Sequence, residues 1–436
     1  MKTVLFVAFH FPPNSAGSGM LRILKFCRFL PALGWKPVVL TISPRAYERT
    51  DSALLAQVPD SVTVIRAFGL DTQKHLSIRR RYFRWTALPD RWISWCLAAI
   101  VRGLARIRRD RADLILSTYP IATAVFIGFV LHKLTGTPWV VDFRDSMTED
   151  EYPADPTTRR IYRWIEKKAV QHAARLIFTS PSTIRMYTKR YPELDAAKCV
   201  LIRNGYDEED FSWLTPAQPT AVPTGSAIRL LHLGLIYPWE RDPRPFFRAI
   251  SRLKKQGQLS AAYLQVNLRA SGNESDYAQI LRELEIEDLI HLLPPLPYQQ
   301  ALREAAESEA LLLFQAANCD HQIPAKAYEY LRLGRPVLAL TSANGDTAAL
   351  LNETGGATII DIADEDAIVH ALPAFLTAVR AGHHPVADLN RVQAFARKNQ
   401  ARALAQTLSA IERTEKGTLQ SEPDLATRPT VPSSRR

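Results

Sequence analysis

The chain has 436 residues, of which 47% are hydrophobic and 23% are charged, and its net charge is +11. This length suits two domains of about 200 residues each, and the hydrophobic content excludes a disordered protein. No apolar run reaches the roughly 18 residues of a membrane-spanning helix, and the N-terminus enters an apolar strand without a signal-peptide cleavage site. The four cysteines are scattered, which predicts free thiols and a cytoplasmic protein.

Strands and helices alternate through the first half of the chain. Apolar runs predict strands at residues 4–8, 38–42, 114–117, 139–143, 176–179 and 199–202, and helical spacing predicts helices that include residues 20–33 and 157–174. This alternation predicts an α/β domain with a parallel sheet over residues 1–212.

Two loops of this half have the composition of ligand-binding loops. Gly17 and Gly19 follow the first strand and allow a ligand to approach the backbone closely, although the third glycine of the dinucleotide fingerprint is missing. A structural turn is the alternative. Asp142 and Asp145 end a strand at the sheet edge where α/β proteins bind ligands. An ion pair with Arg144 or a helix cap is the alternative for these carboxylates.

The segment 74–110 is strongly basic, with ten Lys or Arg against two Asp. Arginines 79, 80, 81 and 84 lie beside Tyr82, Phe83 and Trp85, a composition that suits an anionic lipid surface or single-stranded nucleic acid. Simple solvation is the third explanation. We favour a weak membrane contact through Arg79, Arg80, Arg81 and Arg84, and we expect no nucleic-acid partner. The apolar helical stripe from Trp92 to Ile107 is predicted to pack on the sheet.

A second α/β series follows a proline-rich linker at residues 213–226. Strands are predicted at 230–233, 264–268, 290–293, 310–314 and 337–340, with helices at 276–286 and 298–307. We therefore place a second domain at 227–390, a helix that returns to the first domain at 391–415, and a polar, disordered tail at 416–436.

Residues 322–337 contain the most informative motif of the chain. Pro324 suits the start of a helix, and Gly334 suits its left-handed end. Free amides and the helix dipole at such a start attract an anion such as a diphosphate. Lys326 adds a positive charge there, and Glu329 is one turn further on, where it can accept hydrogen bonds from ribose. An ordinary helix with a solvated Lys and Glu is the alternative.

The pattern Pro-x-Lys-x-x-Glu-Tyr-Leu-x-x-Gly-x-Pro-Val resembles the donor site of family-four, or group 1, glycosyltransferases. The resemblance implies the GT-B fold, in which two Rossmann-like domains face each other across a cleft and a C-terminal helix crosses back to the first domain. It implies catalytic roles for Arg241, Lys326 and Asp145. The residues implied in donor binding are Gly17, Gly19, Arg22, Asn204, His321, Pro324 and Glu329.

The sequence also departs from the family pattern. Leu235 stands where an arginine is usual, so Arg244 is a candidate replacement, and His321 stands where the first of two glutamates is expected. The usual histidine of the first domain is not evident after the strand at 114–117. The resemblance nevertheless implies retaining transfer of a hexose without a metal or other cofactor.

We therefore expect an enzyme that moves a sugar from a nucleotide-sugar to a glycan or lipid-linked acceptor in cell-surface polysaccharide or glycolipid synthesis. Peripheral attachment to the cytoplasmic face of the membrane is expected from the basic segment. The alternatives are a nucleotide-sugar epimerase of the same fold and a non-catalytic protein that binds membranes or nucleic acid.

Overall fold

Thirteen strands and fourteen α-helices organise the part of the chain that the computed structural model describes, which is residues 1–15, 18–77, 79, 81–214 and 221–420. The strands are β1 (Lys2–Val7), β2 (Trp35–Ile42), β3 (Thr63–Ala67), β4 (Leu114–Thr118), β5 (Trp139–Phe143), β6 (Arg175–Phe178), β7 (Cys199–Leu201), β8 (Ile228–Leu233), β9 (Leu264–Arg269), β10 (Ile290–Leu293), β11 (Ala310–Gln315), β12 (Val337–Thr341) and β13 (Ala357–Ile360). Predicted residues Gly17 and Arg80, part of the linker and residues 421–436 lie outside this description.

The helices connect successive parallel strands and cover the sheets. They are α1 (Ser18–Phe29), α2 (Thr72–His75), α3 (Trp95–Asp110), α4 (Ala122–Thr135), α5 (Pro156–His172), α6 (Pro181–Arg190), α7 (Arg244–Lys255), α8 (Glu274–Glu283), α9 (Tyr298–Glu307), α10 (Ala325–Leu333), α11 (Asp346–Thr354), α12 (Glu365–Arg380), α13 (Leu389–Val392) and α14 (Arg397–Gln420).

Each half of the chain builds one parallel sheet. The first has the strand order β3-β2-β1-β4-β5-β6-β7 and the second has the order β10-β9-β8-β11-β12-β13. In both, the chain runs outward from a central strand, returns, and continues on the other side, which is the doubly wound arrangement of Rossmann-like domains. The predicted fold class is confirmed. The order reverses at β1/β4 and at β8/β11, and ligands bind beyond the carboxyl ends of strands at such points.

The end of the chain returns to the first domain, as predicted. Leu404 and Leu408 of α14 are buried in the same apolar cluster as Ile23 of α1, and the Trp35 indole donates a hydrogen bond to Ser409 at 3.3 Å. The helix predicted as one piece is divided, because residues 393–395 form a 3₁₀ turn and Ala396 is extended. α14 also continues to Gln420, past residue 416 where the tail was predicted to begin, and no proline interrupts it before Pro423.

Direct contacts fix the first domain against the second. Asp346, at the start of α11, accepts hydrogen bonds from the amide of Ser182 at 2.8 Å and from its hydroxyl at 2.7 Å. The carbonyl of His321 accepts a hydrogen bond from Thr183 at 3.0 Å. Arg203 and Glu353 form an ion pair at 2.7 Å. Ser182, His321 and Asp346 follow the carboxyl ends of β6, β11 and β12, so their contacts bring the loops of both sheets to one cleft.

The predicted apolar stripe packs as expected. Trp95, Ala99 and Ile107 of α3 are buried in the core of the first domain, and Trp92 and Leu104 pack against it. Among the described residues, none of the helices combines the length and the hydrophobicity that crossing a bilayer requires.

Candidate active site

A polar pocket of about 150 Å³ lies between the two domains. Loops at the carboxyl ends of strands in both sheets form it, and its lining residues are Gly19, Arg144, Asp145, Thr179, Asn204, Arg241, Gln315, Gln322, Ile323, Pro324 and Ala325. Five of the residues predicted from the sequence are therefore brought together here: Gly19, Asp145, Asn204, Arg241 and Pro324. An interface between domains is a common place for a ligand site.

Arg144 is the most informative lining residue of this pocket, and it was not among the predicted site residues. Within the described part of the chain, its buried Nη1 atom has no hydrogen-bond partner. Burial lowers the pKa of its guanidinium, while the nearby Asp145 and Asp142 oppose this change. A guanidinium is planar, and the N–H donors along its edges match the spacing of phosphate oxygens. An unsatisfied buried donor of this kind is stabilised when an anion enters the pocket.

Gly19 makes room for Arg144. A Cβ atom at position 19 would be 2.1 Å from both terminal nitrogens of the Arg144 guanidinium. The glycine was predicted to let a ligand approach the backbone. The structure gives another reason for glycine at this position, because the Arg144 guanidinium occupies the space that a side chain would fill.

We therefore expect Gly19→Ala to weaken nucleoside diphosphate binding by displacing Arg144. In an Arg144→Ala background the same substitution is expected to have little further effect, because the clashing group has been removed. Isothermal titration calorimetry on the wild type, both single variants and the double variant measures this coupling. Additive losses of affinity would contradict the assigned role of Gly19.

The prediction that Arg22 approaches the donor is corrected by its surroundings. Arg22 is fully buried and its guanidinium binds both carboxylate oxygens of Asp142, at 2.9 and 3.0 Å. Its remaining donors bind the carbonyls of Ile202 at 2.9 Å and Arg203 at 3.0 Å. Arg22 therefore connects α1 to the ends of β5 and β7 and stabilises the loop that carries Asn204.

Arg241 lines the pocket from the second domain. It is half-buried, its Nη1 donates to the carbonyl of Leu235 at 3.0 Å, and its guanidinium lies 5.2 Å from the ring centre of Tyr237. The suggested replacement for the missing family arginine, Arg244, is exposed, and its Nε and Nη2 donate to Oδ1 and Oδ2 of Asp242 at 2.8 and 2.7 Å in a bidentate ion pair. The second cation of the pocket is instead Arg144, from the opposite domain.

The start of α10 closes the pocket on the side of the second domain. Pro324 is the N-cap residue, one position earlier than predicted, and Gly334 ends the helix with φ of 65° as predicted. The amide of Ala327 donates to the Pro324 carbonyl at 3.0 Å. The amides of Ala325 and Lys326 precede this first bond, so they are the donors that this helix start offers to an anion.

Lys326 is held by a histidine that sequence reasoning did not select. His232 of β8 is buried, and its Nδ1 is 2.8 Å from the carbonyl oxygen of Leu312. Because that oxygen only accepts, Nδ1 carries the hydrogen and Nε2 accepts from the Lys326 ammonium at 3.0 Å. Burial and the adjacent Lys326 hold the pKa of His232 well below its usual range, so this histidine stays neutral.

The charge on Lys326 predicts a pH dependence. Burial and the nearby Arg241 lower the pKa of Lys326 well below the usual value for lysine. Below that pKa the ammonium attracts a diphosphate, and as the pH rises through it the charge and the attraction are lost. Nucleotide affinity should therefore fall with rising pH in a range where an ordinary lysine, with a pKa of about 10.4, stays charged.

The matched variant is Lys326→Arg, which stays charged in this range and should flatten the profile. Calorimetry in buffers of different ionisation enthalpy should show proton uptake by the wild type only. Identical profiles for both proteins would exclude Lys326 as the titrating group.

Glu329 lies one turn into α10, as predicted. It is half-buried and accepts a hydrogen bond from the hydroxyl of Tyr298, on α9, at 2.8 Å. Burial raises the pKa of Glu329, against the opposing effect of the Tyr298 hydrogen bond. Tyr298 is a further residue that the sequence did not indicate, and it orients the carboxylate predicted to bind ribose.

A larger cavity of about 820 Å³ adjoins the small pocket. Asp145 and Gln322 line both, so Asp145 lies at the junction, and burial raises the pKa of its carboxyl group. His321, predicted to bind the donor, lines the larger cavity instead, and its Nε2 is 2.8 Å from the Glu149 carboxylate. Tyr119, which follows the strand where a histidine is usual, also lines this cavity.

Comparison with known proteins is consistent with this geometry. Residues 21–205 match the family described as the glycosyl transferase 4-like domain. A search of curated proteins finds no significant match. Among solved structures the chain is similar to Anabaena HepE in complex with UDP, with 14% identity and a TM-score of 0.60 over 97% of this chain and 100% of that chain.

Two other solved structures are similar over nearly the whole chain. The α,α-trehalose 6-phosphate synthase of Burkholderia multivorans has 13% identity and a TM-score of 0.61, with 97% of this chain and 99% of that chain covered. WaaG, a glycosyltransferase involved in lipopolysaccharide biosynthesis, has 12% identity and a TM-score of 0.57, with 96% and 100% covered. At these identities the likeness shows the fold.

The fold is therefore the two-domain GT-B fold of glycosyltransferases. Residues 21–205, which lie in its first domain, match the glycosyl transferase 4-like domain, in agreement with the resemblance that the sequence analysis identified.

Proposed function

We propose that the protein transfers a hexose from a nucleotide-sugar to a hydroxyl group of a glycan or of a glycan-bearing lipid. The single observation that carries this proposal is the position of Asp145, which lies where a pocket suited to a diphosphate joins a cavity large enough for a sugar acceptor. The bond that breaks joins the sugar to the diphosphate, so the reacting carbon would lie at this junction.

The small pocket suits the leaving diphosphate. Arg144 and Arg241 line it from opposite domains, and the start of α10 presents two amides to it. Lys326 follows Ala325, which lines this pocket, and the nearby Arg241 contributes to lowering its pKa. Cations and amides that are already in place stabilise charge as it develops in the transition state. We propose that they do so without a metal ion, and with retention of configuration at the sugar.

The reaction is tested by supplying donor and acceptor separately. Thermal shift against UDP-, GDP-, ADP- and dTDP-sugars selects the donor, and release of the free nucleotide is then measured. We expect release that depends on an added acceptor and a product that contains the transferred sugar. Conversion of the nucleotide-sugar to its epimer without release would favour the epimerase alternative instead.

A membrane contact is the second part of the proposal. Phe83 and Trp85 are 74% and 72% exposed, their rings stack 6.3 Å apart, and Arg79 and Arg81 beside them are also exposed. Arg84 is instead paired with Asp155, at the start of α5, and fastens the segment to the domain. Exposed aromatic rings next to exposed cations suit the interface of an anionic membrane.

We expect Arg79→Glu/Arg81→Glu to reduce the affinity for phosphatidylglycerol vesicles, measured by sedimentation at low salt, by about 30-fold or more, since each basic side chain contributes about 1 kcal/mol near such a surface. The matched control is Arg108→Glu/Arg109→Glu, an equal charge change at two exposed positions of α3. Equal losses in the two variants, or binding that persists in both, would remove the assigned contact.

A further inference from the structure

The larger cavity has a charge opposite to that of the small pocket it adjoins. Its lining contains five carboxylates, four from the first domain and one from the second: Asp145, Glu149, Asp150, Glu151 and Glu240. A cavity walled by one sign of charge concentrates ligands of the other sign and repels ligands of its own.

The cationic side chains of this cavity are already committed. Arg190 binds the buried Glu166 at 3.0 Å and the hydroxyl of Thr148 at 3.0 Å. His321 is bound to Glu149 at 2.8 Å. Among the cavity residues that the structure describes, neither group is therefore free to receive a phosphate or carboxylate, and the other four carboxylates have no basic partner within this lining.

The same cavity presents aromatic faces from both domains. Trp239 of the second domain is 88% exposed and Tyr152 of the first is 49% exposed. A sugar ring places an apolar C–H face on such a surface while its hydroxyls donate to the carboxylates beside it. Tyr119 adds a polar group of another kind, because it is 1% exposed and its hydroxyl has no hydrogen-bond partner among the described residues.

From this combination we infer that the acceptor unit bound in the larger cavity is a neutral or amino sugar, and that sugars carrying a carboxylate or phosphate are excluded. The inference rests on the proposed function, since it specifies the acceptor of that reaction. Trp239 supplies the stacking surface, the carboxylates accept from hydroxyl or ammonium groups, and like-charge repulsion rejects anionic sugars.

The test uses the full chain and three classes of probe. Methyl glycosides of neutral sugars, of amino sugars and of uronic acids, each in gluco and galacto form, are titrated while the fluorescence difference between wild type and Trp239→Phe is followed. Glucose 6-phosphate is a fourth, phosphorylated probe. We expect neutral or amino probes to change the fluorescence of Trp239. The anionic probes should bind at least about tenfold more weakly.

Charge variants sharpen the test. Glu151→Gln/Glu240→Gln should reduce the discrimination against the uronic acids, whereas Glu283→Gln/Glu287→Gln, at exposed positions on and after α8, should leave it unchanged. Binding of the anionic probes as tight as that of the others, or no binding of any neutral or amino probe, overturns the inference. Nucleoside diphosphate titrations on the same protein separate this failure from failure of the proposed function, which predicts that the small pocket binds nucleotide in either case.

Discussion

Asp145→Asn is expected to lower kcat by about 100-fold or more while leaving the affinity for nucleoside diphosphate nearly unchanged. Asp145 lies where the two cavities meet, so its carboxylate is in position to accept a hydrogen bond from the acceptor hydroxyl. A positioned carboxylate that orients or receives such a proton contributes about 10²- to 10⁴-fold to a rate. Asparagine keeps the size of the side chain but removes the negative charge.

The control for this prediction is Asp150→Asn, which makes the same chemical change at an exposed residue of the larger cavity. It should alter KM for the acceptor more than kcat. Steady-state kinetics and nucleotide calorimetry on both variants distinguish the two roles. An Asp145→Asn enzyme with a wild-type kcat would exclude Asp145 from the reaction.

Arg144→Ala is expected to weaken nucleoside diphosphate binding by about 10- to 100-fold. A hydrogen bond to a charged group contributes roughly 1.5–3 kcal/mol, and each 1.4 kcal/mol corresponds to a factor of about ten in Kd. The Arg144 guanidinium is partly buried and has an unsatisfied donor. Its removal therefore costs the ligand-free protein little stability.

The matched control is Arg102→Ala, which removes an exposed arginine of α3 in the same domain. Calorimetry with the nucleotide selected by thermal shift measures both variants, and circular dichroism verifies that they are folded. Equal affinities for wild type and Arg144→Ala would assign the diphosphate to another part of the cleft.

The sequence predicted the architecture and much of the small pocket for one physical reason. Carboxyl ends of parallel strands meet at one edge of a sheet, so polar loops that follow apolar strands converge there. This reasoning selected Asp145, the resemblance to group 1 glycosyltransferases added Asn204 and Arg241, and the helix-start signal selected Pro324. The left-handed helix end at Gly334 was likewise predicted from the sequence, because glycine tolerates that backbone conformation.

The roles of Arg22 and Arg144 could not be predicted from the sequence. Arg22 and Arg144 both follow loops at the correct sheet edge, but only packing decides which one pairs with Asp142. Arg22 on α1 forms that pair, and Arg144 is left beside the pocket, in the space that Gly19 vacates. Residue spacing contains no information on this choice, because it depends on how α1 lies against β5.

His232 could have been selected from the sequence as a residue with a specific role. It interrupts the apolar strand β8, and a histidine buried in a strand needs hydrogen-bond partners. The partners, Leu312 and Lys326, come from distant parts of the second domain, so only the folded sheet identifies them. The larger cavity was hidden for a similar reason, since its carboxylates come from loops of two domains.

A structure of the protein with its nucleoside diphosphate bound tests the central claim most directly. We predict that the two phosphates lie between Arg144 and Arg241, within hydrogen-bond distance of both guanidinium groups and of the amides that begin α10, with the terminal phosphate facing Asp145. A diphosphate bound outside this pocket, or held by only one of the two domains, would contradict the account.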